Sequence, residues 1–276
     1  HVSVPELSLY FHTSRAVSLY GSSLPRILLD ITSGTAVVKW PKTSIRTADE
    51  LLAFAEAAAE YSAEDLVTVE ADIDMTGKTW TPFVLECTLD GKGHKIYNIS
   101  TSSSSTANFI TRVEGTLKNV VFGSSDGTSY DGNSVISLTG AGQNAGVVGN
   151  NSGTLENVTS FVKVDANLSG TPASSQVRVG GIAAENNGVI HRAATAQVTI
   201  SGCGNSADIF MSEQHAAENV NLGGIAGMCD ALNTNPFAGT NIITSCTNSG
   251  RVYYKESRIL HRLPVCIRPA LSLASA

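Results

Sequence analysis

A repeated strand-turn-strand grammar constrains the fold of this chain more than any other feature. Four segments share it: residues 107–122 (ANFITRVEGTLKNVVF), 144–160 (NAGVVGNNSGTLENVTS), 179–195 (VGGIAAENNGVIHRAAT) and the longer 222–248. Each opens on a small apolar strand such as Gly146-Val147-Val148-Gly149, Gly181-Ile182-Ala183 or Gly224-Ile225-Ala226. A turn of Asn, Ser and Gly follows. A second strand then starts at a glycine: Gly115-Thr116-Leu117, Gly153-Thr154-Leu155, Gly188-Val189-Ile190. Aligning Leu117, Leu155, Ile190 and Ile243 gives spacings of 38, 35 and 53 residues, which suit one or two solenoid coils per repeat with an insertion in the last. Strands this short cannot bury a sheet face alone. Stacked about 4.8 Å apart they pair their backbones and close a core along the axis. The expected fold is therefore all-β, a right-handed parallel β-helix. Leu117, Val120 and Phe122 cannot all face inward without a bend. Asn119 and Asn157 occupy matching positions, where Asn tolerates positive φ. Arg192 breaks the match, and an inward asparagine stack is expected there.

An open solenoid end exposes a raw core and needs a cover. Thr47-Ala48-Asp49-Glu50 forms a capping box. Leu51, Phe54, Ala55, Ala58 and Ala59 then make one apolar stripe. The sequence thus predicts an amphipathic helix over 47–61 as an N-terminal cap on a β-helix spanning 45–256. Residues 1–44 carry short apolar alternations and are read as flanking strands or the remnant of a preceding domain. Residues 257–276 lack Gly and Asn and are read as a tail or C-terminal cap.

The formal net charge is −6, which disfavours nucleic acid as the main partner because phosphate binding needs basic clusters. The five cysteines, Cys87, Cys203, Cys229, Cys246 and Cys266, show no metal-type spacing, so no metal or cofactor is expected, and their pairing stays open. No apolar run reaches the roughly 20 residues of a membrane span. No signal peptide is visible, and a secreted or cell-surface location is expected with the leader lying outside this chain.

Two stretches carry a family likeness. "IRTADELLAFAEAAAE…VTVEADIDMTGKTWTPF…LDGKGHKIYNI" is similar to the entry into β-helical modules of bacterial surface proteins. The Gly-Gly-Ile-Ala-Gly and Cys-Thr-Asn-Ser-Gly-x-Val pieces resemble the GLUG-type repeats that follow that entry. Such modules occur in surface proteins of gut Bacteroidota and in the non-catalytic N-terminal region of immunoglobulin-A-cleaving metallopeptidases. The resemblance covers about residues 45–254. It departs at "VLECTLDG" and at "MCDALNTNPFAGTN", which interrupts the last repeat. It implies a fold, but solenoids are reused too widely to imply one activity.

Catalysis on a β-helix calls for clustered carboxylates. Asp72 and Asp74 alternate around Ile73 and could share a face, with Glu86 joining from the next coil; these three define a polysaccharide lyase or hydrolase alternative. Asp-Ile-Asp is equally the pattern of an exposed strand. Asp90 and His94 flank a tight Gly turn. Trp80 and Tyr130 are the aromatics assigned to ligand contact, Tyr130 because it sits at a loop tip (Ser-Tyr-Asp-Gly-Asn). The leading expectation is a non-catalytic, adhesin-like binding or display module that meets host glycans or cell-surface proteins. A structural stalk is the third reading.

Overall fold

The computed structural model describes residues 17–21, 24–32, 35–39, 43–168, 176–186, 198–211, 219–229 and 241–254. The chain divides into two compact units, His1–Lys42 and Thr43–Ala276. The first contains an antiparallel meander of Val17–Gly21, Leu24–Thr32 and Thr35–Lys39. The readings on 257–276, on Cys266 and on 187–197 fall outside the described residues.

The second unit is a parallel β-helix, and successive coils return to three sheets. The first face stacks Ser44–Ile45, Leu66–Val69, Thr88–Asp90, Thr116–Phe122, Thr154–Ser160, Val198–Ser201 and Asn241–Thr244. The second stacks Ser100–Ser103, Val135–Thr139, Lys163–Asn167, Ile209–Met211 and Val252–Tyr254. The third stacks Phe83–Leu85, Thr106–Val113, Asn144–Asn151, the split pair Gln176–Gly180 and Ala183–Asn186, and the split pair Asn219–Gly223 and Ala226–Cys229. Every pairing in this unit is parallel, and parallel crossovers of this kind wind right-handed.

The expected bend in the first face is a left-handed residue. Asn119 and Asn157 both have φ of 52°. Each lets the chain bury residues on both sides of it: Leu117, Val120 and Phe122 in one coil, Leu155 and Val158 in the next. The register then corrects the sequence alignment. Leu117 pairs with Leu155, Leu155 with Ile200, and Ile200 with Ile243. Ile200 occupies the third position in register with Leu155, and Ile190 lies outside the described residues. The residue equivalent to Asn157 is accordingly Gly202 (φ 60°), not Arg192. The Asn119–Asn157 stack exists, but on the outside. The Asn157 amide donates to Asn119 Oδ1 (3.1 Å), and Asn119 donates to Asp90 Oδ1 (3.1 Å), with Asn157 solvent-exposed.

The inward amides lie elsewhere. Asn151 donates to Asn186 Oδ1 (2.8 Å), one coil away on the third face. Asn205 donates to Asn248 Oδ1 (2.8 Å) and to the Ala207 carbonyl (2.9 Å) on the first. Facing glycines make room for the second pair. A Cβ on Gly181 would sit 2.5 Å from Asn205 Cγ, and one on Gly224 would overlap Asn248. The paired glycines of the repeat and the asparagines of Cys-Gly-Asn and Cys-Thr-Asn are thus two halves of one packing arrangement.

The helix runs Ala48–Glu56, shorter than expected, and passes at Ala57 into a 3₁₀ turn, Ala58–Glu60. Thr47 Oγ1 accepts from the Glu50 amide (3.2 Å), one half of the capping box, and Glu50 reaches back to the Arg46 amide (2.6 Å), one residue before the N-cap. Leu51 and Phe54 are buried, and Phe54 makes an edge contact with Phe83 of the first coil at 5.5 Å. Leu51, Phe54 and Ala58 of the expected stripe therefore pack on the core, whereas Ala59, in the 3₁₀ turn, is exposed.

Candidate functional site: a neutral cleft at the first two coils

The first coil has no strand on the second face. Between Ile73–Asp74 and Phe83–Leu85 the chain turns through Thr76, Gly77 and Lys78 instead. Ser100–Ser103 of the next coil is consequently the edge of its sheet. A cleft of about 650 Å³ opens beside that edge, walled by residues 75–82 on one side and 98–111 on the other.

The walls are mostly hydroxyl and amide: Thr79, Ser100, Thr101, Ser102, Thr106 and Asn108 among them. Lys78 is the one ionisable residue of the lining, and its ammonium is held 2.6 Å from Asp49 Oδ1. Trp80 supplies the aromatic wall. One ring face stacks on Phe109 (4.1 Å between centroids, planes 3° apart), and its indole N–H donates to the Phe109 carbonyl (2.7 Å). Trp80 is thus fixed in orientation and only partly buried. Two buried polar atoms of the lining, Thr101 Oγ1 and Asn108 Oδ1, have no hydrogen-bond partner within the protein. Buried polar groups are rarely left so, since each costs about 1–3 kcal/mol when unsatisfied.

The three acids of the enzymatic alternative take up other work. Asp72 and Asp74 are exposed on either side of buried Ile73. Asp72 accepts from Lys95 Nζ (2.6 Å) and the Lys95 amide (3.0 Å), with His94 Nδ1 at 3.1 Å. Partial burial alone would raise its pKa, but these hydrogen bonds outweigh it and hold the carboxyl below its ordinary value. Asp74 is lowered by hydrogen bonds from Thr76 (Oγ1, 2.6 Å) and Asn98 (Nδ2, 2.7 Å). A general acid needs the opposite shift. Both carboxylates tie one coil to the next. Glu86 lies in the corner between the third-face strand Phe83–Leu85 and the first-face strand Thr88–Asp90, nine positions before Lys95, the residue in register with Asp72. The third face holds a carboxylate that the sequence did not flag. Glu185, nearly buried, pairs with Arg178 Nη1 (3.0 Å) and accepts from Asn144 (2.9 Å) and Asn150 (3.2 Å).

Tyr130 is 37% exposed, on a loop stiffened by Asp126, which accepts from the Thr128 and Ser129 amides. Burial of its hydroxyl raises its pKa, and Lys163, Asp131, Asp208 and Asp165 all act on it. The loop tip therefore overlies the outer surface of the second face. Farther along that surface, Phe210 and Tyr253 are in ring contact (5.4 Å), and the Arg251 guanidinium sits 5.3 Å above Tyr253.

No helix among the described residues is long and apolar enough to cross a membrane. No family model matches the chain, and no curated protein matches it. Among solved structures, the chain is similar to one from Bacteroides ovatus named a "putative immunoglobulin A1 protease", at 18% identity and a TM-score of 0.39, over 78% of this chain and 77% of that one. The likeness is distant and assigns no activity to either wall of the cleft.

Proposed function

We propose that this chain is a secreted or cell-surface binding module of the GLUG-repeat kind, which takes uncharged glycan chains in the Trp80 cleft and performs no chemistry on them. The observation that carries this reading is the cleft itself. A rigid aromatic ring, a hydroxyl- and amide-rich wall and no free ionised group in the lining suit a polyhydroxylated neutral ligand. A solenoid also presents an extended surface, on which many weak contacts add through multivalency. The lowered pKa values of Asp72 and Asp74 support binding over hydrolysis.

The chain has two tryptophans, Trp40 and Trp80. With Trp40→Phe, Trp80 becomes the only indole reporter. Titration with neutral gluco-, manno- and galacto-oligosaccharides is expected to shift its emission. Ser102→Glu, which adds a charge at an exposed lining position, is expected to weaken binding at least about tenfold, or ~1.4 kcal/mol. A flat titration across the panel, together with a blank glycan array, would end the glycan reading. Release of shortened chains from a polymer, with or without calcium, would replace it with the enzymatic one.

A further inference from the structure

Cys203 and Cys246 are 43 residues apart in sequence and one coil apart in space. Each follows the left-handed residue of its first-face bend, Gly202 (φ 60°) and Ser245 (φ 54°). The pairings on either side, Ser201 with Thr244 and Gly204 with Thr247, put the two cysteines in register. The Thr247 amide donates to the Cys203 carbonyl at 2.9 Å. The Cys203 thiol donates to the Ser201 carbonyl (3.3 Å) and the Cys246 thiol to the Thr244 carbonyl (3.2 Å), the residues in register one coil apart. Cys203 is 1% exposed, whereas Cys246 is only partly buried.

We propose that Cys203 and Cys246 are a disulfide-forming pair that staples the last described coil to the coil before it, with a small-molecule disulfide of the glutathione type as oxidant. Neighbouring rungs lie about 4.8 Å apart, inside the roughly 4.4–6.8 Å between Cα atoms that a disulfide spans. The exposure difference sets the order of events. The Cys246 thiolate attacks one sulfur of the oxidant and expels the other half as a thiolate, which takes up a proton. Cys203 then gives up its proton and attacks the Cys246 sulfur of the mixed disulfide, expelling the second thiol. Two protein thiols and one small disulfide become one protein disulfide and two small thiols. Cys246 is the more accessible sulfur, and the neighbouring Cys203 thiol lowers it below its ordinary value while the same contact and burial push Cys203 up, so Cys246 is the attacking sulfur.

The position gives the bond a purpose. Among the described residues, Asn241–Thr244 and Val252–Tyr254 are the terminal strands of their sheets, paired on one side only. A solenoid end held by one neighbour is where unravelling starts. A covalent link across the last two rungs removes that weakness, and it needs the oxidising surroundings of a secreted chain.

The test is oxidation of the folded protein with oxidised glutathione, followed by alkylation and peptide mapping. A linked peptide joining Cys203 to Cys246 is expected, with loss of two hydrogens. The melting midpoint of the oxidised protein should lie about 5–10 °C above that of the reduced protein. Cys246→Ser should abolish both the link and the difference. The map of the unsubstituted chain stands whether or not that variant folds. Full alkylation of both thiols after oxidation, or linkage of Cys246 to a different cysteine, would overturn the proposal.

Discussion

Between Phe54 and Phe122 the interior of the solenoid carries a run of touching rings, whereas from Asn151 onward buried amide pairs are set into an aliphatic core. In the first region each ring touches the next: Tyr61 on Phe54, Phe54 on Phe83, Phe83 on Trp80, Trp80 on Phe109, Phe109 on Phe122, at centroid distances of 4.1 to 5.9 Å. In the second, Asn151 bonds Asn186, Asn205 bonds Asn248, and Ala183 stacks on Ala226 in the register of the third face. The same backbone repeat is filled in two ways. A ring core is stabilised by apolar area and tolerates some change of shape. An amide ladder depends on every partner being present and on the facing residue having no side chain. Sensitivity to substitution should therefore rise toward the coils that carry the amide pairs.

The largest expected effect tests the polar half directly. Glu185→Ala leaves the Arg178 guanidinium, mostly buried on the third face, without its carboxylate, and should cost about 3–5 kcal/mol in denaturant unfolding. An unchanged midpoint would mean that this half is not held by its polar partners. Gly224→Ala should come next. One added methyl collides with the Asn248 side chain, at an expected cost of about 2–3 kcal/mol, with faster hydrogen exchange concentrated at 241–254. Phe109→Leu removes more matter from the aromatic half yet should cost only about 1–2 kcal/mol, because neighbouring rings can close in. If Phe109→Leu proved the costlier of the two, the contrast between the halves would fail.

Acid should give the smallest and most evenly spread effect. At Asp72, Asp90 and Asp208 partial burial would raise the pKa, but hydrogen bonds and nearby cations outweigh it, so all three lie below the ordinary carboxyl value of 3.8. Groups depressed in the folded state take up protons first in the unfolded chain. Their stabilisation is present above about pH 4 and is lost as pH falls through the lowered folded values. Melting midpoints should be level from pH 7 to about 5 and decline below about 4. A midpoint that rose on acidification would contradict these assignments.

Much of this fold is written in the repeats. The Gly-started strands, the bend at Asn119 and Asn157, and the capping box at Thr47–Glu50 follow from local chemistry that a single coil contains. What depends on register was not legible. Gly188-Val189-Ile190 obeys the local grammar as well as Val198–Ser201 does, and only the register shows that Ile200 is the residue stacked on Leu155. The direction of an asparagine stack was hidden for the same reason, since a left-handed bend turns outward a residue that simple alternation would place inside. Trp80 and Tyr130 were visible as candidates by residue type. The cleft was not, because its walls come from two coils and its opening from a strand that the first coil lacks. Asp72 and Asp74 looked like a catalytic pair because Asp-Ile-Asp says nothing about Lys95 and Asn98, which lie 23 and 24 residues farther on.

The register of the coils underlies the cleft, the amide ladders and the cysteine pair alike. It can be read by placing cysteines at Glu156 and Ser201, which pair across the first face, in a background carrying Cys203→Ala and Cys246→Ala, and mapping the products of mild oxidation. The structure predicts a rapid, quantitative link between positions 156 and 201 in the folded protein and none after denaturation. A folded protein that forms no such link, or that links position 156 to one within 187–197 when cysteines are placed there, would contradict the coil register on which the account rests.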